Sequence, residues 1–491
     1  MGTIGRRAFL GEAAAATGAV LAGGPSQALL PGVARAQPHD GMHSLGPVAD
    51  LHDGKIRLHL PAGFQYRSFH DTDGPFVVLA DGTTLPGRHD GMGAFPGPDG
   101  NVWLVRNHEI NGAGTAFGTG EPYDPNSRGG TTTTLVTPRG DVLDDFTSLN
   151  GTLLNSGGGR MPWGTWITCE ETVNGPDVSP DFTNAPNIDL HEPHGFIFEI
   201  PAGGVSNREP ITSAGRFAHD SAALDPREGI LYLTEDNFSF PSGLFRYIPP
   251  TNPMAVGRIE NGGRLQMLRV MAVPNFDLAV TQTAGNMYLC DWVDIEDPDP
   301  VFPYTPGEPA PTSNDDALIY VGDQGRAQGA AVFSRLEGAT YTRGEIYFVS
   351  TQGGGDPEAS FGPIANGYGD GFGQVWSYDP TVQLLTCRYQ SQAPDALDGP
   401  DSISVRNERG TIVICEDGPA DNYIRGFTRD GRLFDIALNR VTRNADPTIT
   451  RYHEEFAGAT FSPDGHTLFV NIQASDGVTF AIWGPWGRLG V

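Results

Sequence analysis

One short phrase recurs along this chain and restricts its fold more than any other feature: a turn residue, alternating apolar residues, then an acid or an amide. It appears at Asn101–Glu109, Gly164–Glu171, Gly229–Asn237, Gly285–Asp291, Gly344–Gln352, Gly410–Asp417 and Gly465–Gln473. The spacing, roughly 55 to 65 residues, marks a repeat architecture whose units are four-stranded blades with long inter-strand loops. Segments such as Gly195–Ile200 and Gly373–Tyr378 would complete those blades. A β-helix would need a shorter period, and two sandwiches would not repeat one phrase along the whole chain. The expectation is an all-β propeller of six blades. Seven stays open, because the fourth phrase runs straight into Trp292 and an Asp/Pro-rich stretch to Pro300 and matches least well. No long segment carries apolar residues at helical spacing.

The first residues read as a leader rather than as part of this repeat. Gly5-Arg6-Arg7-Ala8-Phe9-Leu10 is a twin-arginine pattern, followed by an apolar run from Ala13 to Leu21 that is too short to span a bilayer. Ala34-Arg35-Ala36 supplies a small-x-small cleavage site. The expected division is therefore a signal peptide over 1–36 and one propeller catalytic domain over 37–491. Export by the twin-arginine machinery would place the protein in the periplasm or outside the cell, with no stable membrane anchor. That route carries folded proteins, which suits one that loads its cofactor before export.

Charge and cation usage exclude several functions. The net charge of −28 repels nucleic acid, and no basic run provides a local footprint for it. Lys55 is the sole lysine and no glycine-rich P-loop precedes it, so a Walker-type nucleotide site is ruled out and a Schiff-base enzyme is disfavoured. If the protein handles phosphate, it must do so with arginine and metals. No Gly-x-Ser-x-Gly elbow marks a serine hydrolase in the mature chain. Oligomeric state leaves no trace in the sequence.

In a propeller the innermost strands share one mouth. If the phrases are those strands, their closing residues meet there: Glu109, Glu170, Glu171, Glu235, Asp236, Asp291, Gln352, Glu416, Asp417 and Gln473. Carboxylates brought that close repel unless cations neutralise them, and such a ring suits hard ions such as Ca²⁺. The competing reading is that acids merely follow strands at exposed turns. Four cysteines in an exported chain first suggest two disulfides. Cys169 and Cys415, however, hold matching places before acid pairs. Cys415 reads as quiet packing, Cys290 and Cys387 as structural, while for Cys169 metal ligation and packing remain equally open.

Several segments resemble the PhoX-type alkaline phosphatases. Asn155–Glu171, with Pro162-Trp163-Gly164-Thr165-Trp166 and Cys169-Glu170-Glu171, is similar to that family's signature, as are Gly215–Asp220, Phe333–Gly338 with Gly344–Gly353, Glu455–Gly465, Leu468–Gln473, Trp483–Trp486 and Asn107-His108-Glu109. The resemblance covers nearly the whole mature chain. It implies a twin-arginine-exported propeller that cleaves phosphate monoesters with an iron–calcium cluster (Fe³⁺ and Ca²⁺) on its axis. It also implies that Cys169 ligates iron, that Asp220 and Glu337 are metal ligands, and that Glu109, Glu170, Glu171, Glu416 and Glu455 are further candidates. Arg335 would be the phosphate-binding arginine. The metals would position the phosphoryl group and neutralise its charge. His108 and His219 are candidate proton donors or structural partners. The chain departs from the family pattern at Asp220, where His-Glu is usual, at Ser402 in place of Asn, and at Asn155-Ser156-Gly157, which lacks a Cys. Substrates would be small phosphorylated organics. The alternatives are a calcium-dependent propeller hydrolase of the lactonase or phytase kind, which would need no thiolate, and a non-catalytic metal-binding propeller.

Overall fold

The computed structural model describes residues 44–355, 368–406 and 410–491, so the proposed leader lies outside the described residues. Six antiparallel units radiate from one axis. Their innermost strands are His89–Pro96, Asn155–Arg160, His219–Asp225, Leu336–Thr342, Pro400–Val405 and Phe456–Phe461, and each packs against the next until the last meets the first. The ring is closed by the N-terminal strand Gln65–Phe69, which pairs with Val478–Trp483 as the outermost strand of the sixth blade. Leu58–Leu60 and Gly46–Val48 extend the fifth blade in the same way.

The recurring phrases form the second strand of each blade rather than the innermost one. Val102–His108, for example, pairs with His89–Pro96 on its axial side and with Gly129–Val136 on its outer side. The fourth phrase is a different element. Its strand, Met287–Asp294, sits at the outer edge of the third blade and also pairs with Leu384–Thr386 of the fourth, joining the two into one nine-stranded sheet. Among the described residues the blades accordingly number six.

There is no single central core. Among the described residues six apolar clusters lie between neighbouring blades, and the second strand of each blade buries both faces. Leu231 and Leu233 face the second blade, while Tyr232 between them faces the fourth. Two-sided burial explains why the phrases are apolar at nearly every position. The sequence showed no helix at Asn314–Arg326, yet one forms there. Ser313 caps it by accepting from the Asp316 N–H, Asp315 and Asp316 occupy the first turn, and Arg326 the last. Its buried stripe of Ala317, Val321 and Gly325 is too small-sided to stand out as amphipathic. No helix among the described residues is long and apolar enough to cross a membrane.

Candidate functional site

The mouth of the ring is built by the same irregularity in all six blades. Pairing between the innermost and second strands slips between His89 and Met92, Asn155 and Gly158, His219 and Ala222, Leu336 and Ala339, Pro400 and Ile403, and Ala457 and Thr460. Each slip is a β-bulge, which re-aims the residues it leaves unpaired. The first bulged residue is an acid in four blades, Asp90, Asp220, Glu337 and Asp401, with Ser156 and Gly458 in the other two. Oxygens of Asp220, Glu337 and Asp401 all lie within 4.8 Å of one another.

The bulges interlock. A Cβ on Gly458 would sit 2.3 Å from the Asp90 carbonyl, and one on Gly91 2.5 Å from that of Ser156. Only glycine allows the neighbouring bulge that close. Second-strand side chains fasten these contacts: Asn471 Nδ2 donates to Asp90 O at 2.6 Å, and Thr351 Oγ1 to Pro400 O at 2.7 Å.

The acid pairs that end second strands split by strand alternation. Glu170 Oε1 accepts from His194 Nδ1 at 2.6 Å and from the Leu153 N–H at 2.8 Å, while Oε2 accepts from the Gly195 and Phe196 N–H groups. Glu416 accepts from Arg425 Nε at 2.8 Å and from the Tyr423 and Asp398 N–H groups. Glu235 accepts from the Gly243 N–H. In each pair the first acid bonds within its own blade, Glu235 through Oε2 alone, and the second, Glu171, Asp236 or Asp417, faces the mouth. Glu170 and Glu416 thus stand apart from the converging carboxylates, although the sequence placed them among the ligand candidates. Asp291 does too: it pairs with Arg269 at 2.6 Å on the outer strand.

Glu109, Glu171, Asp220, Glu337 and Glu455 do converge. Burial raises the Glu109 carboxyl to about 7, with Asp417 and Asp220 adding to the effect against Arg88. Asp220 is raised to about 6 by burial and Asp236, against hydrogen bonds from Ser221 and Ser156 at 2.8 Å each. Asp90, Glu171, Glu337, Asp401 and Glu455 are pushed well above the usual carboxylate range by burial and by one another's charge. Asp90 and Asp401 are site residues that the phrase pattern missed. A signal existed in the acid followed by a small residue near the start of four inner strands: Asp90-Gly91, Asp220-Ser221, Glu337-Gly338 and Asp401-Ser402.

Two arginines reach the mouth. Arg335, with φ of 40°, donates from Nε to Asp236 Oδ1 at 3.0 Å, and from Nη2 to Asp236 Oδ2 at 2.6 Å and Glu337 Oε1 at 2.9 Å. Burial opposes its charge, but Asp236 and Glu337 outweigh that and hold it protonated. Arg88 donates to Glu109 and to Gln473 at 3.2 Å each, and Gln473 Nε2 also donates to Glu109. His108 has both ring nitrogens engaged, whereas His219 has a partner on Nε2 alone. His108 bonds Gly87 O at 2.8 Å and Thr132 at 2.9 Å, and His219 bonds Gly215 O at 2.8 Å. All four cysteines are free and buried, so the disulfide expectation fails. Cys415 packs in the apolar cluster between the fifth and sixth blades. Cys169 packs between the second and third, where Asp220 and Glu170 are its charged neighbours and, after burial, raise its thiol.

The donor set fits metal. Buried acids that raise one another's pKa are costly to ionise unless a cation replaces their protons, and clustered carboxylates are the donors that Ca²⁺ prefers.

Residues 44–476 match the family profile described as alkaline phosphatase PhoX. Among solved structures, the chain is similar to Pseudomonas fluorescens PhoX in complex with vanadate, a transition state analogue. The two share 16% identity with a TM-score of 0.61, covering 91% of this chain and 98% of that one. A gluconolactonase from Xanthomonas campestris also aligns, at 11% identity and a TM-score of 0.39, over 90% of this chain and 99% of that one. No curated protein matches.

Proposed function

The chain belongs to the alkaline phosphatase PhoX family and is a phosphatase, and from that premise we propose that it hydrolyses phosphate monoesters outside the cytoplasm with iron and calcium held at the axial mouth. The observation that carries this reading is the convergence of Asp220, Glu337 and Asp401 oxygens within 4.8 Å, surrounded by further carboxylates that burial drives toward protonation. The residues that would hold metal are Glu109, Glu171, Asp220, Glu337 and Glu455, joined by Asp90, Asp401 and Asp417. Cys169, the thiol beside Asp220, is the donor suited to iron. When bound, the metals would supply a lowered pKa for a nucleophilic oxygen and positive charge against the phosphoryl oxygens.

The chain's own residues do the rest. Arg335 is held charged at the mouth by Asp236, which takes Nε and Nη2, and by Glu337, which takes Nη2, so that Nη1 is the nitrogen these acids leave to a phosphoryl oxygen. Glu170, fastened by His194 and three backbone N–H groups, fixes the strand end from which Glu171 projects. Glu416 does the same for Asp417 through Arg425. A leader over 1–36, twin-arginine export, one catalytic propeller over 37–491 and small phosphorylated substrates belong to the same reading.

Elemental analysis of protein exported by its native route is the test. Iron together with calcium, and p-nitrophenyl phosphate hydrolysis abolished by chelation, are expected. Full turnover in protein stripped of both metals would overturn it.

A further inference from the structure

Above Arg335 the mouth has an aromatic wall. The Arg335 guanidinium lies 5.1 Å from the ring centre of Phe238, which follows Asp236 by two residues. Phe238 is stacked in turn on Phe182, with centroids 5.6 Å apart and planes 19° from parallel. Phe238 is half-buried, and the Tyr368 N–H donates to its carbonyl at 2.6 Å. Phe182 is 58% exposed, an unusual place for a phenyl ring on so polar a rim. The segment that carries it is nonetheless anchored. Asp181 accepts from Asn111 Nδ2 at 2.9 Å, from Asn174 Nδ2 at 3.0 Å and from the Thr183 N–H at 2.9 Å. A ring fixed in place, open on its outer side and joined through Phe238 to the phosphate-binding arginine has the form of a stacking subsite.

We propose that Phe182 and Phe238 form a subsite for the organic part of the substrate, selecting phosphate monoesters that carry a planar aromatic ring. The inference rests on the phosphatase reading above. A ring bonded directly to the ester oxygen, as in phenyl phosphate, would reach Phe238. One held away by a sugar, as in a nucleoside 5′-monophosphate, would reach Phe182. Both use the same chemistry, in which a π-face covers apolar surface and offers a partner to another π-face.

The test uses the metal-loaded enzyme with phenyl phosphate, adenosine 5′-monophosphate and glycerol 2-phosphate. Wild type should favour one or both aromatic esters over the glycerol ester, and Phe182→Ala should cut that kcat/KM ratio about 10-fold, the scale of one stacked ring. The loss should appear in KM rather than kcat, and Phe182→Tyr should restore it. A loss confined to the nucleotide places its base on Phe182; a loss confined to phenyl phosphate places that ring there instead. Inhibition by phenylphosphonate relative to methylphosphonate, which needs no turnover, should fall in parallel. An unchanged ratio for both aromatic esters in Phe182→Ala overturns the subsite while leaving the phosphatase intact. Failure of wild type to cleave any of the three esters overturns the reading beneath it.

Discussion

Asp236 grips Arg335 across a blade boundary, Oδ1 receiving Nε at 3.0 Å and Oδ2 receiving Nη2 at 2.6 Å. The acid directly follows a strand of the third blade and the arginine directly precedes the innermost strand of the fourth, so the pair fixes the guanidinium at the mouth. A lysine keeps the charge and loses the fork. Arg335→Lys should therefore lower kcat/KM for p-nitrophenyl phosphate about 100-fold, equivalent to about 2.7 kcal/mol, and weaken inhibition by inorganic phosphate. Equal constants for variant and wild type would remove Arg335 from the phosphate site.

The crowded acids make stability depend on pH and metal together. Glu109 at about 7 and Asp220 at about 6 lie above their ordinary values, so the folded state binds more protons than the unfolded chain across this interval. Metal-free protein should accordingly lose stability as pH rises from about 4 to 7. Calcium competes with those protons, and its stabilising effect should grow over the same interval. Melting temperatures at pH 5 and pH 8, in chelator and in excess Ca²⁺, measure both. A chelated protein that melts higher at pH 8 contradicts the account.

His194 behaves in the same sense at higher pH, although here neighbouring acids rather than burial raise the value. Burial opposes its charge, but Glu170 and Asp124 raise it to about 9. Its stabilising contribution is complete below its unfolded value near 6.5 and is lost as pH rises through 9. His194→Gln should cost about 3 kcal/mol at pH 6, and the gap from wild type should narrow at pH 10 in urea titrations.

The two cysteines that precede acid pairs should separate cleanly. Cys169→Ser should lower iron per chain by at least about half, since hydroxyl is a poor substitute for thiolate. Cys415→Ser, inside an apolar cluster, should keep its iron and lose only stability. Elemental analysis of both variants decides the matter, and full iron in Cys169→Ser rules out thiolate ligation.

Closure of the ring should be sensitive at Gly458. An alanine there meets the Asp90 carbonyl at 2.3 Å with φ of 61°, whereas Gly100, at φ of 78°, has nothing within 4 Å. Gly100→Ala carries backbone strain alone, about 1 kcal/mol. Gly458→Ala should cost about 2 kcal/mol more and weaken calcium binding by displacing Asp90. Equal melting temperatures for the two variants would mean that the clash relaxes freely.

The sequence conveyed part of this site and mislaid the rest for a definite reason. The acidic tips were legible because each closes an apolar run, and Glu109 and Glu171 do reach the mouth; Glu455, which precedes an inner strand, was singled out by the family resemblance instead. Glu170 and Glu416 looked equivalent to their neighbours, but successive residues on a strand face opposite ways, and which way is inward depends on the next blade. Asp90 and Asp401 were hidden because a bulge, not a strand end, aims them. Asp291 shares the phrase yet lies on an outer strand, since its segment bridges two blades instead of forming the inner part of one.

What the chain determined by itself was the repeat: short strands apolar on both faces, glycine at turns and acids at their ends can bury their surfaces only by stacking against like units. The tertiary structure alone decided which strand of each unit lies at the axis, that six units close the circle, and which carboxylates meet. Those outcomes depend on contacts between residues hundreds of positions apart, such as Thr479 with Phe69 and Gly458 with Asp90, and local preference carries no information about them.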